Sequence, residues 1–454
     1  MRGRWSGLRI ITAIGLMAAG IRAQTQPPWS SSYKIAFDHI RGGESELGVR
    51  ELEALGASFP RDAVLATSIG AALDSDSRHQ QAAQWYEKAL AIDPQYEPAL
   101  NNLALSLASR GLLEDAVPLL RRVLKINRDN GRAAYNLALI ALRLKRFNEA
   151  VEAFQLARKA PEPAAPSETL ALGEGTALFK LGRYAEAGKV LNGASACSEV
   201  TSCLLLGSSQ ALSSDLPAAV STFQSAVRLA PNVPDTYFRL ALAFLQGSRD
   251  DEARETLAVG LEAVPNSGLL LYGQAIFYEH LGSYEQAIAA AMKSLEQDPA
   301  RADVWALLGS LHAHQGQGEK TEKSFQKALQ LGAGVGTAVE YAEFLVHEGR
   351  YAEAEKTLNE LRSSHGNDSA INRGLGKLYK AQGKFDEAAV FLRRAVTEDP
   401  QDPAAHYALA ITLQRLHRDA EAKKELELFS AAKEERRFVR ALEIASDPLG
   451  AREK

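Results

Sequence analysis

Apolar residues in the stretch from Glu97 to Asn130 follow the spacing of two successive helices. Four of them stand at positions i, i+3, i+4 and i+7 of one helix face: Leu100, Leu103, Ala104 and Leu107. Gly111 then ends this helix, and a second apolar face follows: Ala116, Leu120 and Val123. A hairpin of 34 residues cannot enclose a core of its own. The stretch therefore predicts one unit of a stack, in which each hairpin is covered by its neighbours.

The same pattern recurs along nearly the whole chain in steps of 32 to 37 residues. We number each repeat so that a small residue of its second helix stands at register 20: Gly48, Ala82, Ala116, Ala150, Ala187, Ala219, Ala253, Ala287, Thr321, Ala354, Ala388 and Ala422. Register 8 of the first helix is Ala or Gly in every repeat: Ala36, Gly70, Ala104, Ala138, Gly175, Gly207, Ala241, Ala275, Gly309, Ala342, Gly376 and Ala410. Small residues at both registers allow the two helices of a hairpin to approach closely. This periodicity predicts about twelve helical hairpins.

Two further registers complete the signature of the repeat. Register 24 holds a bulky residue in several repeats: Tyr86, Phe154, Phe223, Phe325 and Leu392. Register 32 holds a proline that ends the second helix: Pro60, Pro94, Pro231, Pro265, Pro299 and Pro400. This combination resembles the tetratricopeptide repeat over residues 29–432. The resemblance implies an all-α fold, a right-handed α-solenoid (superhelix) of about twelve helix-turn-helix units.

Both ends of the chain differ from the repeats. Residues 1–23 begin with three arginines, continue with an apolar run too short to span a bilayer, and end on Ala23, which predicts a secretory signal. A buried first helix or an uncleaved anchor is the alternative. Residues 24–28 are then a short linker, and we expect a protein exported to the periplasm or the extracellular space. Residues 433–446 carry Phe438, Val439, Leu442 and Ile444 on one side and charged residues on the other, as a capping helix does, and residues 447–454 form a tail.

Two irregularities interrupt the repeats near the middle of the chain. A proline-rich insertion occupies residues 160–168, and the short junction after the next hairpin carries the only two cysteines, Cys197 and Cys203. Exported proteins oxidise paired thiols, so these two form a possible disulfide. The alternative is two inert, buried thiols.

Charge and motifs exclude several classes of function. Removal of residues 1–23 leaves 48 basic and 56 acidic residues, so no excess of positive charge is available to bind nucleic acid. No other apolar run approaches the length needed to span a membrane. The chain lacks a phosphate loop, an HExxH motif and a nucleophile elbow, and its carboxylates fall mainly at turns and helix starts. We therefore predict neither an enzyme nor a cofactor.

Three histidines share register 13 in successive repeats: His280, His314 and His347. A column of rings would suggest a metal or pH-sensing site. Register 13 also ends the first helix, where cations are favoured, and equivalent residues of adjacent helices lie about 8 to 10 Å apart. No metal site is predicted from this pattern.

The resemblance implies that the first helices line a concave face, with registers 2, 5, 9, 12 and 13 pointing inward. The predicted partner-binding residues on this face are Asn101, Leu105, Tyr135, Leu139, Phe179, Phe238, Leu242, Tyr272, Ile276, Arg373 and Lys377. Aromatic residues at register 5 predict that an apolar partner segment is held there, and that Phe238→Ala weakens binding by about 1 to 3 kcal/mol without loss of stability. Arg373 and Lys377 could take an acidic end, with Lys380 beside them. The alternative is that the apolar residues pack against the next repeat.

The leading hypothesis is a non-catalytic scaffold that holds a protein or peptide partner in the cell envelope. A carrier or chaperone for an apolar ligand, a lipid or an unfolded segment is the alternative. The sequence indicates neither the identity of the partner nor the oligomeric state.

Overall fold

The computed structural model describes residues 27–193, 197–366 and 368–435, with side chains through residue 430. These residues form 24 α-helices and contain no strand. They belong to two compact units, an N-terminal unit that ends at Ser198 and a C-terminal unit that begins at Glu199. The all-α repeat fold predicted from the periodicity is confirmed.

The helices of the N-terminal unit are α1 Ser30–Arg41, α2 Ser45–Ser58, α3 Ala63–Ser75, α4 His79–Ile92, α5 Glu97–Ser109, α6 Leu113–Ile126, α7 Gly131–Arg143, α8 Phe147–Lys159, α9 Ser167–Lys180 and α10 Tyr184–Asn192. Those of the C-terminal unit are α11 Val200–Leu212, α12 Leu216–Leu229, α13 Pro234–Gln246, α14 Asp250–Ala263, α15 Gly268–His280, α16 Tyr284–Gln297, α17 Ala302–His314, α18 Gly318–Gln330, α19 Val335–His347, α20 Tyr351–His365, α21 Ser369–Ala381, α22 Phe385–Glu398, α23 Pro403–Arg415 and α24 Asp419–Glu435.

Consecutive helices pair into hairpins, from α1 with α2 to α23 with α24. The stretch from Glu97 to Asn130 folds as α5 and α6, joined by a turn in which Gly111 has a φ of +83°. L-residues rarely adopt this conformation, which suits a glycine. Within each unit the second helix of a hairpin also packs on the first helix of the next, as α4 does on α5. The described residues thus form the twelve predicted hairpins.

The core of each hairpin depends on its small and bulky registers. The register-24 ring of Tyr86 packs on Gly70, and the register-24 ring of Phe223 packs on Gly207. A Cβ atom at Gly207 would lie 2.6 Å from the Phe223 ring, closer than real Cβ contacts allow. Phe223 is itself fully buried. A small residue at register 8 therefore makes room for the ring that closes the hairpin.

We expect Gly207→Ala to lower the free energy of unfolding by about 1 to 2 kcal/mol, because the buried ring of Phe223 must shift. The better helix propensity of alanine offsets only about 1 kcal/mol of the overpacking. Gly268→Ala is the control, since its new Cβ would have no nonlocal neighbour closer than 3.4 Å. Urea unfolding of both variants measures the difference, and equal stabilities would contradict the prediction.

Ion pairs link the surfaces of successive hairpins. Arg78 binds Glu46 at 2.5 Å, Arg146 binds Glu114 at 2.6 Å, and each pair is 32 residues apart in sequence. One repeat period thus separates the partners. Because these pairs are solvent-exposed, each contributes only about 0 to 1 kcal/mol, and the buried core dominates the stability.

The proline-rich insertion lies between α8 and α9 and packs over the start of α7. A Cβ atom at Gly131 would lie 2.7 Å from the backbone oxygen of Glu162 and 2.9 Å from the Cβ atom of Ala160. α10 follows in the next hairpin and, with nine residues, is the shortest of the described helices. Both cysteines of the chain, Cys197 and Cys203, are disulfide-bonded in the structure.

The predicted terminal segments fall largely on residues that the structure does not describe. The signal at residues 1–23 and the tail at 447–454 lie outside the described residues, as does most of the linker at 24–28. Of the predicted capping helix at 433–446, residues 433–435 continue α24, and the remainder is also outside them.

Candidate partner-binding surface

Registers 5, 9 and 12 of the first helices form one face of each unit, which we call the first-helix face. In the N-terminal unit the predicted binding residues on it are Asn101, Leu105, Tyr135, Leu139 and Phe179. All five are buried, with exposed fractions between 1% and 7%. Asn136 donates a 3.1 Å hydrogen bond to Oδ1 of Asn101, and the Tyr135 ring lies edge-on to Phe154. These residues pack between neighbouring helices.

The apolar residues predicted in the C-terminal unit are buried in the same way: Phe238, Leu242, Tyr272 and Ile276. The rings of Phe238 and Tyr272, at register 5 of adjacent repeats, stack at 5.8 Å. The guanidinium of Arg301 lies 4.7 Å from the centre of the Tyr272 ring. Such contacts are those of packing residues, the alternative that the sequence left open. Their role as anchors for a partner stays a prediction.

The predicted cations Arg373 and Lys377 are partly exposed on α21, and both have partners within the array. Lys377 donates from Nζ to Glu343 at 2.7 Å, while Arg373 pairs with Asp402 and lies 3.6 Å from Glu343. Burial alone would lower the pKa of Arg373, but the carboxylates of Asp402, Glu343 and Glu340 outweigh it and raise the pKa. The carboxylates of Asp402, Glu343 and Glu340 thus offset the two cations on this part of the face.

Two other charged residues of the first-helix face are without a partner. Glu279, at register 12 of α15, is half-buried, and burial together with the nearby carboxylate of Glu340 raises its pKa to about 7. Lys380, at register 12 of α21, has its pKa lowered by burial and by Lys377. Within the described part of the chain neither side chain forms a hydrogen bond or an ion pair.

Ser310 joins the acidic part of this surface from register 9 of α17. Its hydroxyl donates a 3.4 Å hydrogen bond to Oε2 of Glu340 on α19. The acidic part of the face thus draws on the first helices of three successive repeats. Glu279 is not among the binding residues predicted from the sequence, although its inward register 12 could have identified it.

The three histidines of register 13 have separate partners. His280 lies 3.0 Å from Asp250, His314 stacks on the Tyr284 ring at 5.1 Å, and His347 lies 3.6 Å from Glu348. No group of three or more histidine, cysteine and acidic side chains among the described residues could hold a metal ion. The helix-end explanation accounts for their common register.

A serine, a histidine and an aspartate meet in the N-terminal unit, but not in the arrangement of a nucleophile and its base. Ser106 donates to Asp74 at 3.0 Å and contacts the backbone oxygen of His79 at 2.9 Å. Nδ1 of the His79 ring lies 2.8 Å from the Asp74 carboxylate, and the Tyr86 hydroxyl donates a 2.9 Å hydrogen bond to the same carboxylate. Activation of a serine requires a hydrogen bond from its hydroxyl to the imidazole ring. Asp74 of α3 instead links its own hairpin to the next one through hydrogen bonds to α4 and α5.

Models of the tetratricopeptide repeat match residues 33–97, 101–169, 204–268, 272–335 and 342–403, and a further one matches residues 379–443. The chain belongs to the tetratricopeptide repeat family. Proteins of this family mediate protein–protein interactions. Among the described residues of this tetratricopeptide array, no helix has both the length and the apolar character needed to cross a membrane.

Individual proteins resemble parts of the tetratricopeptide array at low identity. Anaphase-promoting complex subunit 7 of Arabidopsis thaliana is 25% identical over 43% of this chain and 35% of its own length. The probable biofilm formation methyltransferase WspC of Pseudomonas putida is 33% identical over 21% of this chain and 26% of its own length. The chain thus spans about a third or less of the curated relatives it matches. The structure of yeast Tom70 aligns with a TM-score of 0.45 at 17% identity, over 92% of this chain and 95% of Tom70.

Proposed function

We propose that this tetratricopeptide array is a non-catalytic scaffold that holds a protein or peptide partner on its first-helix face, in the cell envelope or outside the cell. The observation that carries the proposal is the pair of half-buried, unpaired charges, Glu279 and Lys380, on that face. A charge removed from water without a partner costs free energy, which a bound partner of opposite charge offsets. The interaction role of the family supports a protein as the partner.

Burial of the apolar registers favours a scaffold over a carrier of lipid or another apolar ligand. A carrier needs apolar side chains that its ligand can reach. The nine non-charged residues predicted on the first-helix face expose at most 7% of their surface, as described above.

Photo-crosslinking in the native host tests the proposal. A photoreactive residue replaces Ser310, which lies on the first-helix face, or Glu360 as the control on the outer helix α20, where its side chain is 69% exposed. We expect a protein adduct from position 310 and none from position 360. Adducts from both positions, or lipid as the only species bound to the purified chain, would contradict the scaffold.

We also propose export with cleavage after Ala23, on the basis of the charged start and short apolar run of residues 1–23. Mass spectrometry of the native protein should find Gln24 at the amino terminus, in a fraction outside the cytosol. An intact Met1 terminus, or recovery from the cytosol alone, would overturn this prediction.

Oxidation of Cys197 and Cys203 should accompany export. The short loop between them leads us to expect a contribution of only about 2 kcal/mol to stability, because little chain entropy is removed. Alkylation of the denatured protein should label no thiol before reduction and two thiols after it. Two labelled thiols without reductant would show instead that both cysteines are unpaired, inert thiols.

A further inference from the structure

The charges on the first-helix face of α15 to α21 do not all cancel. Arg373 and Lys377 are neutralised within the array by Glu343 and Asp402. This internal balance leaves Glu279 at one end of the stretch and Lys380 at the other. The surface is therefore acidic toward α15 and basic toward α21.

The acidic end offers more than one acceptor. The Glu340 carboxylate, which accepts the Ser310 hydroxyl at 3.4 Å, acts electrostatically on Glu279 and disfavours its ionisation. A cation bound beside Glu279 would favour the ionised form of its carboxylate. A lysine or arginine side chain of a partner supplies such a cation together with several hydrogen-bond donors.

The basic end has the opposite requirement. Lys380 is half-buried, and the positive charge of Lys377 lowers its pKa further, while Glu343 already binds Lys377. A carboxylate from a partner would give the Lys380 ammonium its missing counter-ion. Glu279 and Lys380 thus each have no ion pair with another described residue of the array, and a partner could supply one.

The spacing of the two ends sets the length of segment that could reach both. Three repeat steps separate α15 from α21, and packed helices lie about 8 to 10 Å apart, which gives roughly 25 to 30 Å. An extended chain advances about 3.3 Å per residue. A segment with its two charges about eight residues apart therefore fits the face.

We propose that the first-helix face of α15 to α21 binds an extended partner segment with a basic side chain at Glu279 and an acidic side chain at Lys380. The inference rests on the proposed scaffold function and specifies the chemistry of its partner. Charge complementarity at two separated points selects the segment and sets its direction along the face. The buried aromatic residues beneath the face keep the repeats in register.

A random library of 15-residue peptides, selected on the chain from Gln24 onward, tests this inference. We expect enrichment of peptides with one Lys or Arg and one Asp or Glu about six to ten residues apart. For an enriched peptide, Glu279→Gln should weaken binding at least tenfold, and so should replacement of the peptide's basic residue by alanine. Combining the two changes should weaken binding little further, because both remove the same interaction. Lys380→Met and replacement of the peptide's acidic residue by alanine should show the same relationship: each change weakens binding, and the combination adds little.

Charge reversal and an outer-surface control complete the test. The double variant Glu279→Lys with Lys380→Glu should enrich peptides of the opposite charge order, while Glu360→Gln should leave binding within twofold. Enriched peptides without the charge pair, or affinity that Glu279→Gln leaves unchanged, would overturn the inference and leave the scaffold function standing. Failure to enrich any peptide, combined with no protein adduct at position 310, would overturn both.

Discussion

Phe238→Ala is expected to lower the free energy of unfolding by about 3 to 5 kcal/mol, the usual cost of deleting a buried aromatic ring. Phe238 exposes only 1% of its surface and stacks on Tyr272 at 5.8 Å, so its removal leaves a cavity between α13 and α15. Because repeat arrays are stabilised by nearest-neighbour interfaces, the loss should concentrate in these two repeats. Hydrogen exchange of the α13 and α15 amides, together with urea unfolding, measures it.

Tyr407→Ala is the matched control for this prediction. Tyr407 stands at the same register 5 in the last repeat, but it is 48% exposed and has the ring of Phe429 as its aromatic neighbour. Its replacement should cost about 1 kcal/mol or less. Similar losses in the two variants, or an unchanged unfolding transition for Phe238→Ala, would show that the ring is not a packing residue. Unchanged stability with weakened binding would instead support the anchor role predicted from the sequence.

Glu279→Gln is expected to raise the free energy of unfolding at pH 8 by about 2 to 3 kcal/mol. One pKa unit corresponds to about 1.4 kcal/mol, so the full shift would give about 4 kcal/mol, and solvent screening of the half-buried side chain reduces this value. The pKa of Glu279 is raised to about 7 in the folded protein by burial and by Glu340. In the unfolded chain a glutamate titrates near 4.3, so ionisation favours unfolding. Glutamine keeps the shape of the side chain and removes the charge.

The pH dependence identifies the cause of this gain. Below about pH 4.3 the carboxyl is protonated in both states, and the parent and the variant should be equally stable. Between about pH 4.3 and the folded pKa of about 7, the unfolded state releases its proton first, and the parent protein loses stability relative to the variant. The difference should then be constant above pH 7 to 8.

Thermal unfolding of both proteins from pH 4 to pH 8 measures this window. Glu360→Gln, on the exposed outer side of α20, should change stability by less than about 0.5 kcal/mol at every pH. An equal gain for Glu279→Gln at pH 4 and at pH 8 would mean that packing, rather than the charge, is responsible. A variant that is more stable but binds less well would be the trade-off typical of a functional site.

The sequence by itself determined the helices, their pairing and the close contacts within each hairpin. A small residue at registers 8 and 20 recurs with a period close to 34 residues, and local spacing is sufficient to place such residues on a helix face. The contact between Gly207 and the Phe223 ring follows from this register, since both residues belong to one hairpin. Hairpin contacts are short in sequence and repeat at every period, which is why the periodic pattern reveals them.

Only the tertiary structure decided which residues of the first-helix face are buried and which charges remain unpaired. Phe238 is covered because Tyr272, one period later, lies against it, whereas Tyr407 at the same register is exposed. Lys377 and Lys380 belong to one helix, yet Glu343 reaches only the first of them with an ion pair. A register assigns a side chain to a face, but its burial and its charge partners depend on the sizes and rotamers of residues about 30 positions away, which no local pattern contains.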